Sequence, residues 1–173
     1  MKFNSSQGFS LVELLTAMTL FITVSVLVFD LAVSLLHHQE KMVAMQSMFN
    51  DSSYAVEYMG RMLRMARRAD DNNCIDLGDN YFSPDSNQIK FLDYQNNCRW
   101  FLLQDGQIKE GVEGTGGEIA ITSANHTVRN LSFTISDSPG VQPRVTISFE
   151  VARDDFDLGF KIQTTISQRN LNR

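Results

Sequence analysis

Hydrophobic and polar positions divide this chain into three stretches with different periodicities. From Phe9 to Leu36 nearly every residue is apolar, and only Glu13 and Asp30 carry charge. Between Leu14 and Phe29 there is no charge at all. At about 1.5 Å per helical residue the longer run reaches roughly 42 Å, against a hydrocarbon core of about 30 Å. A membrane-spanning helix is the expected element. A secretory signal is a poor match, because the apolar run is too long and no small-residue cleavage site follows it.

Beyond this run the period becomes that of an amphipathic helix. Met45, Met48, Phe49, Ser52, Val56, Met59, Leu63 and Ala66 recur at three- and four-residue steps. No proline occurs between Met1 and Ser83, so one helix is predicted from Ser10 to about Arg68. Asn50-Asp51-Ser52-Ser53 is its expected weak spot, because these side chains compete for backbone hydrogen bonds. Residues 69–87, rich in Asp, Asn and Ser, end it.

The remainder alternates with period two. Strands are predicted at 89–94, 99–103, 107–109, 119–122, 128–135, 144–151 and 160–167. Asp105-Gly106 marks a hairpin, 111–117 a glycine-rich loop, and Asp137-Ser138-Pro139-Gly140 a turn. Short turns between strands imply antiparallel pairing. The expected fold class is therefore α+β, a long N-terminal helix whose second half buries its stripe on an antiparallel sheet.

Composition adds little. The chain has 173 residues, enough for one modest domain plus an anchor. Its net charge of −5 argues against a nucleic-acid partner, which would call for a basic surface. Arg61, Arg64, Arg67 and Arg68 suit the C-terminal end of a helix dipole. His37 and His38 are adjacent, about 100° apart on a helix, and cannot share a metal; His126 stands alone in a loop. The acid-rich stretches 70–79 and 154–157 lack calcium-loop spacing. No catalytic constellation and no cofactor or metal site is expected. Cys74 and Cys98 fit one disulfide or two thiols, and export to an oxidising compartment favours the disulfide.

Glu13 needs a reason, because a carboxylate at the centre of a helix in lipid costs about 2.5–3.5 kcal/mol. Cleavage after Gly8 would give Phe9 a new α-amino group one helical turn before Glu13. The acid could then pair with its own terminus or with that of a neighbouring subunit. Asp30 is either a surface acid at the outer interface or a second pairing site.

The stretch G-F-S-L-V-E-L-L, after a short polar leader containing Lys2, resembles the processing site of type IV prepilins and of the pseudopilins of type II secretion. The segment L-L-T-A-M-T-L-F and the ending T-T-I-S-Q-R-N resemble J-type minor pseudopilins and minor pilins, and the helix lacks the breakers of major pilins. The resemblance implies a leader at 1–8, a transmembrane and assembly helix at 9–36 and an extracytoplasmic globular domain at 37–173. It implies cleavage between Gly8 and Phe9, N-methylation of Phe9 and an assembly salt bridge from Glu13. The implied partners are other pilin or pseudopilin subunits, the prepilin peptidase and an inner-membrane assembly platform. The implied location is the inner membrane, single-pass, and then a filament. The alternative is an uncleaved bitopic protein with an extracytoplasmic binding domain.

Overall fold

The computed structural model describes residues 10–138 and 141–169. It contains a helix α1 (Leu11–Arg64), strands β1 (Gln88–Leu92), β2 (Cys98–Gln104), β3 (Gln107–Val112), β4 (Glu118–Ala120), β5 (Thr127–Ser136), β6 (Arg144–Arg153) and β7 (Leu158–Ser167), and a 3-10 turn at Asp154–Phe156. The layout is α+β, as expected. The chain divides into two compact units, Met1–Ala44 and Met45–Arg173.

In the first unit the described residues before Ala44 are all exposed, and all from Leu11 on are helical. The helix is long and apolar enough to cross a membrane. Its threonines hide their hydroxyls on their own backbone: Thr16 donates to the Glu13 carbonyl at 2.9 Å, Thr19 to Thr16 at 2.9 Å and Thr23 to Leu20 at 2.8 Å. Such back-bonding lets a hydroxyl enter an apolar medium without an unmet donor.

In the second unit α1 buries Met48, Ser52, Ala55, Met59, Leu63 and, just past its end, Ala66. The stripe differs from the one predicted. Met45 and Phe49 are 52% and 60% exposed, while Ala55 and Gly60 lie inside. The size of a side chain misleads here, because small residues allow the sheet to approach. A Cβ at Gly60 would lie 3.3 Å from Ile166 Cδ1. The expected weak spot at 50–53 stays helical, with the buried Ser52 hydroxyl donating to the Met48 carbonyl at 2.6 Å.

The strands form two antiparallel sheets, β1-β2-β3-β4 and β5-β6-β7, rather than one. Both contribute to one core. Ile89, Phe91, Phe101 and Ile108 come from the first sheet, and Val128, Phe133, Val145, Ile147, Phe149, Val151 and Ile166 from the second. In β6 the buried positions 145, 147, 149 and 151 keep the period of a half-buried strand. β5 joins the sheets, its Val128 and Phe133 amides donating to Gly106 and Ser86 carbonyls at 2.7 and 2.8 Å. The β2–β3 turn has φ of 53° at Asp105 and 71° at Gly106, the positive pair of a type I′ hairpin.

Gly111 is not in a loop, as predicted, but in β3 opposite Trp100. The indole lies on it so closely that a Cβ there would sit 2.1 Å from Trp100 Cε2. Glycine is needed at this position because an aromatic ring occupies the side-chain space. Of the predicted turn at 137–140, Pro139 and Gly140 lie outside the described residues.

α1 ends at Arg64, four residues earlier than expected. The basic run 64–68 suits a helix end, yet Arg67 already pairs its backbone with Leu92. All four last helical carbonyls find donors. Those of Arg61 and Met62 take the Met65 amide at 3.2 Å, that of Leu63 takes the Ala66 amide at 3.3 Å and the Tyr81 hydroxyl at 2.6 Å, and that of Arg64 takes the Arg169 amide at 2.8 Å. Beyond the helix the Ala66 carbonyl accepts from the Gln168 side chain at 2.7 Å. Burial pushes the Tyr81 phenol well above its ordinary range, and Asp137 adds to the shift.

Cys74 and Cys98 are joined by a disulfide, with Cα atoms 5.4 Å apart. The bond ties the segment after the helix to the start of β2, beside a small cluster of Ala69, Ile75 and Leu92.

Candidate functional site

The residues singled out in the sequence fall into two groups. Gly8 and Phe9 lie outside the described residues. Glu13 stands in the first turn of α1, where the N-terminal end of the helix dipole favours an acid. Asp30 is an exposed residue further along the same helix. Seventeen residues separate the two acids, about 26 Å along a helix and about 100° around it, so they face different neighbours.

The surroundings of both acids are apolar. Leu11, Val12, Leu14 and Leu15 flank Glu13, and Val26, Leu27, Phe29 and Leu31 flank Asp30, all exposed. The uncharged run Leu14–Phe29 spans about 24 Å, less than a hydrocarbon core of about 30 Å. Any twenty consecutive residues taken from 9–36 therefore contain Glu13 or Asp30. If this helix spans a bilayer, at least one carboxylate lies at the depth of the acyl chains. A charge at that depth is expensive unless it is neutralised or paired.

In the second unit the structure reveals a polar network that sequence reasoning missed. Arg99 is its centre. Its Nε donates to Asp93 Oδ2 and its Nη1 to Glu110 Oε1, each at 2.7 Å. The second Glu110 oxygen accepts the Tyr58 hydroxyl of α1 at 2.7 Å. Asp93 is only 1% exposed, and its Oδ1 also accepts the Gln95 and Asn97 amides at 2.8 and 2.9 Å. One chain of bonds thus runs from the helix through β3 and β2 to the turn after β1.

The electrostatics follow from burial against partners. Burial alone would raise the Asp93 carboxyl, but Arg99 and the Asn97 and Gln95 amides outweigh it and hold the carboxyl below its ordinary range. Burial would likewise lower Arg99, and Asp93 and Glu110 hold it above. Burial first, then Glu110, push the Tyr58 phenol up to about 12. Asp93, Arg99 and Tyr58 are thus each held in one protonation state through the neutral range, as suits a structural strut rather than a proton carrier. Its sequence signal was weak. Arg99 and Glu110 are charges inside predicted or adjacent strand segments, and such positions usually face water.

His126 lies in the loop before β5, as expected, but it is buried there. It is 5% exposed, its Nδ1 lies 3.7 Å from Asp51 Oδ2 of α1, and its Nε2 has no hydrogen-bond partner among the described residues. Burial pushes its imidazole below the usual range; Asp51 opposes the shift and Arg153 assists it. His37 and His38 are exposed on α1. The acids at 154–157 face basic side chains, with Asp154 3.0 Å from Arg129 and Asp155 3.8 Å from Arg153. Among the described residues no group of three or more His, Cys, Asp or Glu side chains is placed to hold a metal ion.

In comparisons with protein families, curated proteins and solved structures, nothing matches this chain.

Proposed function

We propose that this chain is a non-enzymatic subunit of a membrane-anchored filament, either a type IV pilus or a type II secretion pseudopilus, in a minor role that primes assembly. The observation that supports this reading most is an acid in the first turn of an exposed, membrane-length apolar helix, four residues after the phenylalanine of a Gly8-Phe9 pair.

In this reading the prepilin peptidase removes residues 1–8 and the Phe9 amine is methylated. The helix waits in the inner membrane with the folded domain outside the cytoplasm. The assembly platform then draws it into a helical array, where apolar helices pack together and exclude lipid. Glu13 and the cationic Phe9 terminus of a neighbouring subunit set the stagger of helices that could otherwise slide. The disulfide between Cys74 and Cys98 suits an oxidising extracytoplasmic compartment.

Mass spectrometry of the chain from cells that contain the peptidase tests the proposal. The expected product begins at Phe9 and carries one added methyl group. Glu13→Ala is expected to leave a stable protein that is excluded from filaments. Recovery of intact Met1 chains from such cells would overturn the reading in favour of an uncleaved bitopic protein.

A further inference from the structure

Among the described residues of its own unit, Asp30 has no counter-ion within reach. On a helix, side chains meet at three- and four-residue spacing, and those positions around Asp30 are Val26, Leu27, Val33 and Ser34. Between Lys2 and His37 the chain has no lysine, arginine or histidine. The helix continues unbroken past Asp30, so no kink or loop brings a polar group back to it.

The depth of Asp30 follows from where the apolar run stops. Leu31–Leu36 is uncharged, and His37-His38-Gln39-Glu40-Lys41 follows at once. A hydrocarbon core of about twenty residues that ends at Leu36 begins near residue 17. Asp30 then lies about 9 Å inside the outer boundary, and Glu13 about 6 Å beyond the inner one. Moving the helix outward until Asp30 reaches the boundary would leave Leu31, Val33, Leu35 and Leu36 in water, and all four are exposed on the helix.

While the helices stand at one depth in the membrane, a second copy of this chain does not supply the missing charge. Two copies anchored from the same side at the same depth oppose Asp30 to Asp30. The nearest basic residues of the second copy beyond Asp30, His37 and His38, lie about 10–12 Å further out along the axis, and its first lysine there, Lys41, about 16 Å.

We infer that Asp30 is a docking point for the transmembrane helix of a different protein, one that carries a lysine or arginine about 9 Å inside the outer boundary. The inference rests on reading the first part of α1 as a membrane helix. It assigns Asp30 a heterotypic role, separate from that of Glu13. The two acids point about 100° apart, so one helix can hold both neighbours at once. The charge also selects the partner, because an apolar helix without a cation leaves the carboxylate unmet.

The test uses the full chain in phosphatidylcholine vesicles. Three otherwise identical Leu/Ala transmembrane peptides serve as probes, each with a photoreactive group beside a lysine, a leucine or an aspartate set at the depth of Asp30. The wild-type chain is expected to capture the lysine peptide about tenfold better than the leucine peptide, the scale of one interhelical polar contact in lipid. Asp30→Asn should fall to the leucine level, Asp30→Lys should prefer the aspartate peptide, and Glu13→Gln should match wild type. Equal capture by wild type and Asp30→Asn, or loss of capture in Glu13→Gln alone, would overturn the inference. With the chain purified from cells that contain the prepilin peptidase, the N-terminal mass of the same sample separates this result from the filament reading. An intact Met1 with Asp30-dependent capture refutes only the filament, and a processed terminus with Asp30-independent capture refutes only the docking point.

Discussion

Replacing Arg99 by leucine removes the centre of the network that ties α1 to both strands of the β2–β3 hairpin. The side chain is 17% exposed, and its two carboxylate partners are 1% and 11% exposed. The cost can be reached in two ways. Breaking a buried ion pair by deleting one partner costs about 3–5 kcal/mol. Counted as two lost hydrogen bonds to charged groups, at about 1.5–3 kcal/mol each, it comes to roughly 3–6 kcal/mol. A value of about 4 kcal/mol is expected, a large part of the ~5–15 kcal/mol that holds a domain together. The unfolding midpoint should fall by about 15 °C. The dependence on pH is more specific. In the wild type the Asp93 carboxyl is held below its ordinary range, so its contribution is present above the unfolded value near 4 and is lost as pH falls through the folded one. Without Arg99 the buried carboxylate takes up a proton more readily, and acid relieves the defect. The difference between the two proteins should therefore narrow from pH 7 to pH 4. Urea unfolding of the full chain in detergent, followed by Trp100, the only tryptophan, measures both effects. A loss below about 1 kcal/mol, or an equal gap at the two pH values, would refute the argument.

Two further predictions concern other parts of the domain. His126 is buried with a depressed imidazole pKa, so the unfolded chain takes the proton first. Stability should be full above about pH 6.5 and decline as pH falls below it, and His126→Phe should flatten that decline in thermal melts; an unchanged profile would count against it. Replacing Cys74 and Cys98 together by serine should cost about 3 kcal/mol, the loop-closure entropy of a bridge with a sequence separation of 24. Matching melts before and after the change, or under reducing agent, would show that the bridge adds nothing.

The periodicities predicted much of this fold because they reflect burial on one side. The alternation in β6 and β7 survives in the structure nearly residue for residue, as does the Asp105-Gly106 turn, whereas a register shift between Arg129 and Ser132 breaks it in β5. Three features were not legible, each for a physical reason. The split into two sheets depends on which edges meet, and alternation within a strand carries no information about its neighbours. The buried helix face passes through Ala55 and Gly60 instead of Met45 and Phe49, because the limit there is backbone approach and not hydrophobicity. Gly111 resembled loop material until Trp100 filled the space above it. At the candidate site, Glu13 and Asp30 stood out because a charge in an apolar run is conspicuous. Asp93, Arg99 and Glu110 did not, since single charges in strands usually face water and only the fold reveals that these three face one another.

The way α1 is finished at its C-terminal end governs when the domain can become native. The carbonyls of Arg64 and Ala66 are met by Arg169 and Gln168, and the latter contact spans 102 residues. Those donors leave the ribosome after every strand of the domain, and β7, which carries Ile166 into the core against Gly60, only shortly before them. During synthesis the apolar N-terminal segment can therefore enter a bilayer while everything after it is still unfolded. Insertion comes first and folding second, with Gln168 and Arg169 acting as the latch.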